Sequence, residues 1–122
     1  MAYVCEKLRE YGYDPLCLGG VTCTVGSGSP VILLRGDMDA LPQDEVSGLD
    51  FACKNGTCHS CGHDGHTTML LAAAKLLKAH ETELQSTVKS CFQPAEELLH
   101  GSAAMIEAGI LENPKVDAAM AR

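Results

Sequence analysis

The run Val31-Ile32-Leu33-Leu34, inside "PVILLRGDMD" (30–39), is apolar without interruption. A strand with no polar alternation belongs in the middle of a sheet covered on both faces, so helices have to pack above and below it. The chain supplies them. "AYVCEKLREYGY" sets Val4, Leu8 and Tyr11 at helical spacing, with Gly12 as a stop. From Asp64 onward, Met69, Leu70, Ala73, Ala74, Leu76 and Leu77 form a broad apolar face, with Lys75 and Lys78 outside it. "VTCTV" (21–25) and "STVKSCFQ" (86–93) read as strands, the second stopped by Pro94. "ELLHGSAAMIEAG" (97–109) reads as a second core helix closed by Gly109, and "KVDAAMA" as the start of another strand. Helices alternating with strands predict an α/β sandwich around a mixed sheet. The short link "GSGS" (26–29) predicts that the strands on either side of it pair as an antiparallel hairpin.

The 122 residues are a one-domain length. With two Phe, three Tyr and no Trp, the core has to rest on Leu, Val, Ile, Ala and Met. A net charge of −7 argues against nucleic acid or an anionic membrane surface as partner, because either would need a basic patch. No window approaches the ~18 apolar residues of a spanning helix. Nor does the N-terminus show a basic segment followed by an apolar stretch, so a cytoplasmic location is expected. Seven cysteines, an odd number, fit reduced thiols better than a disulfide framework, and most are expected to be small buried hydrophobes.

Residues 40–62 carry Pro42, Gly48, Gly56 and Gly62 and no periodicity, which reads as one long functional loop. It ends in "CHSCGHDGH" (58–66): two thiols, three imidazoles and a carboxylate in nine residues. A structural zinc knot normally draws on two ligand pairs a dozen or more residues apart, and no second pair follows. Cys58-His59-Ser60-Cys61 has the spacing of a redox pair, but that motif ordinarily follows a strand directly. In the third reading Cys61 and His63 form one side of an open metal site. The following helix dipole would favour the thiolate, and Asp64 would cap the helix. Such a site also needs a carboxylate ligand and a base, and Glu96-Glu97 in "CFQPAEE" could supply both. The plain alternative is that this pair merely opens a helix, where the dipole favours acid. Asp37 and Asp39 lie on one side of a strand end, placed either to orient metal-bound histidines or to form a turn. Spacing leaves their roles open, as it does those of His59 and His66.

"RGDMDALP", "HSCGHDGHTTMLLAAAKLL" and "FQPAEE" with "GSAAMIEAGIL" together resemble, in order and spacing, the amidohydrolase branch of the di-metal aminoacylase/carboxypeptidase family. That branch includes hippurate hydrolases, N-acyl-amino-acid amidohydrolases and indole-acetyl-amino-acid hydrolases. The resemblance implies a three-layer, zinc-exopeptidase-like catalytic domain and two divalent metals (Zn, Mn or Co). On it, Cys61, His63 and Glu97 would be ligands and Glu96 the general base, acting on a small N-acyl amino acid. Cys58 stands where the family often has Met, and Ser60 where it often has Ala. Family members run to roughly three times this length, beyond the usual size of one domain. Residues 1–122 are therefore expected to be part of a catalytic domain, without the lid and dimerisation domain and without two downstream histidine ligands. Taken alone, such a chain is expected to be inactive and to self-associate, or to serve as a non-catalytic metal-binding or interaction module.

Overall fold

In the computed structural model, which describes all 122 residues, five strands form one mixed sheet. They are β1 (Leu16–Cys17), β2 (Val21–Val25), β3 (Val31–Asp37), β4 (Thr87–Gln93) and β5 (Ala118–Ala121), in the order β1-β2-β4-β3-β5. β4 pairs antiparallel with β2 and parallel with β3, and β5 runs parallel to β3. Helices α1 (Ala2–Glu10) and α2 (His63–Ala79) cover one face and the short α3 (Gly101–Glu107) lies on the other. The architecture is an α/β three-layer sandwich.

The helical pattern holds in part: both helices form and pack on the sheet, but Met69 and Leu76 of the expected α2 face stay exposed, and Leu71 turns inward instead. Val4, Cys5 and Leu8 turn one stripe of α1 inward, and Leu70, Leu71 and Ala74 do the same for α2. The Tyr13 hydroxyl then donates to the Ala74 carbonyl at 2.7 Å, locking the end of the α1 segment to α2. These side chains meet Val21, Cys23, Val25, Val88 and Phe92 from the sheet in one cluster. Successive strand residues alternate faces, so Cys91 and Leu33 point the other way, against Met105 and Ile110. Lys89 also points there and is 2% exposed. Its ammonium donates to the carbonyls of Ile110, Glu112 and Pro114 at 3.0, 2.8 and 3.1 Å. Burial pushes its pKa down, against the opposing charges of Glu112 and Cys91.

Three expectations need correction. The hairpin does not form: β4 lies between β2 and β3, and residues 26–30 cross its start instead of turning back. The Thr87 hydroxyl donates to the Gly28 carbonyl at 2.6 Å, and the Thr87 N–H to that of Pro30 at 3.2 Å. The turn signal was local, whereas the strand that wins the pairing arrives more than fifty residues later. The second core helix is also shorter than its apolar pattern suggested, because residues 97–100 form a turn and helix begins only at Gly101. Of the seven cysteines, only Cys5, Cys23 and Cys91 are buried.

Candidate metal centre

The loop between β3 and α2 contains no strand or helix and is fastened where Leu41 and Cys58 exchange both backbone hydrogen bonds and where the Gln43 amide donates to the Ser60 hydroxyl. Its effect is to bring the first turn of α2 against the carboxyl end of β3. Gly36 permits that approach, since a Cβ there would sit 3.2 Å from the His66 carbonyl oxygen. The next residue, Asp37, is 3% exposed and fully engaged. Its Oδ1 accepts from His66 Nδ1 at 2.6 Å and its Oδ2 from Arg35 Nη1 at 2.8 Å. Arg35 Nε in turn donates to Gln93 Oε1 at 2.9 Å, tying β3 to the end of β4.

His63 is the hinge of the site. It is buried, and its Nδ1 lies 3.1 Å from both the Oδ1 and the backbone carbonyl of Asp39. Two oxygen acceptors place a proton on Nδ1 and so make Nε2 the nitrogen that a neutral ring would offer to a metal. That nitrogen looks out at three carboxylates: Asp37 Oδ1 at 3.7 Å, Glu96 Oε2 at 3.8 Å and Glu97 Oε1 at 3.8 Å. Asp39 holds the other side as well, because its Oδ2 accepts the Glu97 N–H at 3.2 Å. Burial alone would push the Asp39 carboxyl up. The N–H groups of Glu97, Asp39 and Glu96, with His63, outweigh it and hold the group below the usual carboxylate range.

Glu96 and Glu97 do not open a helix. They sit in a tight lobe between β4 and α3, with Ala95 and Leu99 at positive φ (53° and 57°) and the Leu99 N–H donating to the Glu96 carbonyl at 2.9 Å. The lobe closes where Gly101 passes against the Pro94 carbonyl, with no room for a Cβ. A dipole preference therefore does not account for the pair. Asp64 does not cap α2 either: the cap position is Gly62, and Asp64 lies in the first turn.

Cys61 is exposed, and its sulfur, a ring nitrogen of His63 and an oxygen of Glu97 all lie within 4.8 Å of one another. The thiol is shifted opposite to the helix-dipole expectation. A hydrogen bond to Glu97, burial, and the charges of Glu97, Glu96 and Asp37 push its pKa up. The thiolate of Cys61 and the clustered carboxylates repel one another, and a divalent cation would relieve that repulsion. Asp37, His63 and His66 form a second triad within the same distance. There the Arg35 guanidinium and the His66 ring already satisfy the carboxylate. The donor set that fits a metal is Cys61, His63 and Glu97, with Glu96 beside it. His59 is exposed and belongs to neither triad. Arg35 was not foreseen; a lone arginine in a strand gives no hint of the carboxylate it will meet.

Residues 33–121 match the model of peptidase family M20/M25/M40. The chain belongs to this family. Among M20 relatives, it is 53% identical over 110 residues to "IAA-amino acid hydrolase ILR1-like 5" of Arabidopsis thaliana, covering 88% of this chain and 25% of that protein. It is 44% identical over 115 residues to a hippurate hydrolase of Campylobacter jejuni, covering 89% of this chain and 30% of that one. Among solved structures, a dinuclear metal-binding M20 peptidase of Bacillus subtilis superposes with a TM-score of 0.90 at 37% identity, over 98% of this chain and 35% of the other. The chain thus spans about a quarter to a third of the length of these M20 proteins. No helix is long and apolar enough to cross a membrane.

Proposed function

We propose that residues 1–122 form part of the catalytic domain of an M20 amidohydrolase that cleaves the amide bond of small N-acyl amino acids. The observation that carries this reading is the free Nε2 of His63, aimed at Glu96 and Glu97 while Asp39 occupies Nδ1. Cys61 Sγ, His63 Nε2 and the Glu97 carboxylate would hold divalent metal, two ions in a complete site, with zinc, manganese and cobalt all suited to such donors. When bound, the metal supplies a Lewis acid that polarises the amide carbonyl and acidifies water. Glu96, side by side with the Glu97 ligand, takes the proton from the attacking water and returns it to the leaving amine nitrogen. Asp39 keeps the His63 ring and the Glu97 backbone in register for both tasks.

In a protein carrying the whole domain, Glu96→Gln should retain metal and lower kcat on hippurate or N-acetyl amino acids by ~10²–10⁴-fold. Glu97→Gln should instead lose metal, measured by elemental analysis. Reversed phenotypes would show the two roles to be exchanged.

A second reading applies to the chain by itself, as a metal-binding or interaction module without turnover. It is favoured by the sharing of His63 between the two triads, which leaves one complete donor set at a time. It is also favoured by β5, whose four residues are all exposed at the sheet edge. Such an edge invites pairing with a second copy. Light scattering together with an assay on N-acetyl amino acids separates the readings, because an active monomer is compatible only with the first.

A further inference from the structure

Cys58 lies three residues before Cys61, and the reaction proposed above leaves its thiol without a task. The backbone bridge to Leu41 pins Cys58, and the chain then turns immediately, the Gly62 N–H donating to the His59 carbonyl at 3.0 Å. Cys61 sits inside that turn, so the two cysteines flank its first half. Their contour separation is at most about three residue lengths before the turn shortens it. His59, Ser60 and Cys61 are exposed, Cys58 is half-buried, and nothing comes within 4 Å of the space beside Gly62 or Gly65. An exposed turn of this length, with open space beside Gly62, can rearrange to bring two cysteines three residues apart to disulfide geometry. Both sulfurs are free thiols.

We propose that Cys58 and Cys61 are an oxidisable pair, and that closing their disulfide withdraws the Cys61 sulfur from the metal centre. The inference rests on the reading of Cys61 as a ligand. With hydrogen peroxide as oxidant, the exposed Cys61 sulfur attacks the peroxide, forming a sulfenic acid, and the thiol proton leaves with the displaced oxygen as one water. The Cys58 thiolate then displaces the sulfenic oxygen as a second water, and the S–S bond forms. Two thiols are oxidised by two electrons and one peroxide is reduced to two waters. The centre is left with His63 and Glu97, too few donors to retain an ion. Bound metal, in turn, occupies the Cys61 sulfur and blocks the first step. Metal loading and oxidation are thus mutually exclusive states of one sulfur atom, and a thiol reductant returns the chain to the metal-accepting state.

The sequence makes the test clean, because the tryptic peptide Asn55–Lys75 contains Cys58 and Cys61 and no other cysteine. Metal-free protein treated with peroxide should yield this peptide two hydrogens lighter, and Zn²⁺ added beforehand should keep it reduced. Zn²⁺ affinity, read by a competing chromophoric chelator, should fall more than about 100-fold after oxidation, beyond the loss of a mere hydrogen-bonding neighbour. Dithiothreitol should restore it. Cys58→Ser should take up Zn²⁺ like the wild type when untreated, but after peroxide treatment in the metal-free state dithiothreitol should not restore its uptake, because Cys61 is carried on to the sulfinic acid. Disulfide formation that Zn²⁺ does not prevent would overturn Cys61 as ligand, and the withdrawal with it, while leaving the pair oxidisable. Over-oxidation of Cys61 in the wild type with no linked peptide would overturn the pair itself.

Discussion

The two faces of the sheet are built on different principles. On the α1/α2 face, twelve buried side chains, all apolar apart from the Tyr13 hydroxyl and two thiols, form one cluster around Leu8, Val21 and Phe92. On the α3 face only Leu33, Cys91, Met105 and Ile110 form a buried cluster, and the ammonium of Lys89 does the remaining joining through three carbonyls. The first face is held by area removed from water, which tolerates small shifts. The second is held by a directional contact, which does not. A thin layer can thus be fixed in place without a large core, provided that one buried charge finds all its acceptors.

Substitutions on the two faces sharpen the contrast. Phe92→Ala should have the largest effect, about 3–5 kcal/mol, read as a drop in the urea midpoint with the slope unchanged. Lys89→Met keeps the stem but orphans three carbonyls, and should cost about 2–3 kcal/mol. Its distinguishing mark is hydrogen exchange: protection should fall first in residues 108–121, while α2 stays protected. If α2 and β5 lose protection together, the two faces are one cooperative unit and the contrast fails. Ile110→Val, a small deletion in the thin cluster, should cost about 1 kcal/mol.

Thiol labelling gives the mildest test. Cys17, Cys53, Cys58 and Cys61 should react with a disulfide reagent in the native state, while Cys5, Cys23 and Cys91 wait for unfolding. Burial pushes the Cys23 thiol up to about 12 and that of Cys91 up to about 11. Both thus stay overwhelmingly protonated between pH 7 and 9, and burial keeps the reagent from them over the whole range until the chain unfolds.

Patterns that depend on near neighbours were legible in the sequence. Helices α1 and α2 appear where their apolar spacing placed them, with Val4, Leu8, Leu70 and Ala74 inward although Met69 and Leu76 face solvent, and Pro94 ends β4 as a proline should. What depends on distant partners was not. "GSGS" looks like a hairpin turn until β4 is known to slide between its strands. The apolar pattern of 97–109 hid the turn that carries Glu96 and Glu97, because positive φ at Ala95 and Leu99 leaves no mark in residue type. At the site, Cys61, His63 and Glu97 came from motif and resemblance, and the fold brings them within reach of one another. The division of labour between the two aspartates needed coordinates. Asp37 is held by Arg35 and His66, Asp39 by His63 and the Glu97 N–H, although alternation places both on the same side.

The contact between Gly101 and the Pro94 carbonyl has a use outside this molecule. Two adjacent glutamates alone say nothing of the backbone that presents them, and at a helix start the dipole favours them without any further task. A proline two residues before them and a glycine four after the second describe the closure of the lobe, independently of what the acids do. In unfamiliar genomes the spacing Pro-x-Glu-Glu-x-x-x-Gly is the more discriminating signature, because it selects the backbone that can aim two neighbouring carboxylates at one point. A library that randomised position 101 would be expected to return glycine before it returned either acid, if selected for folding alone.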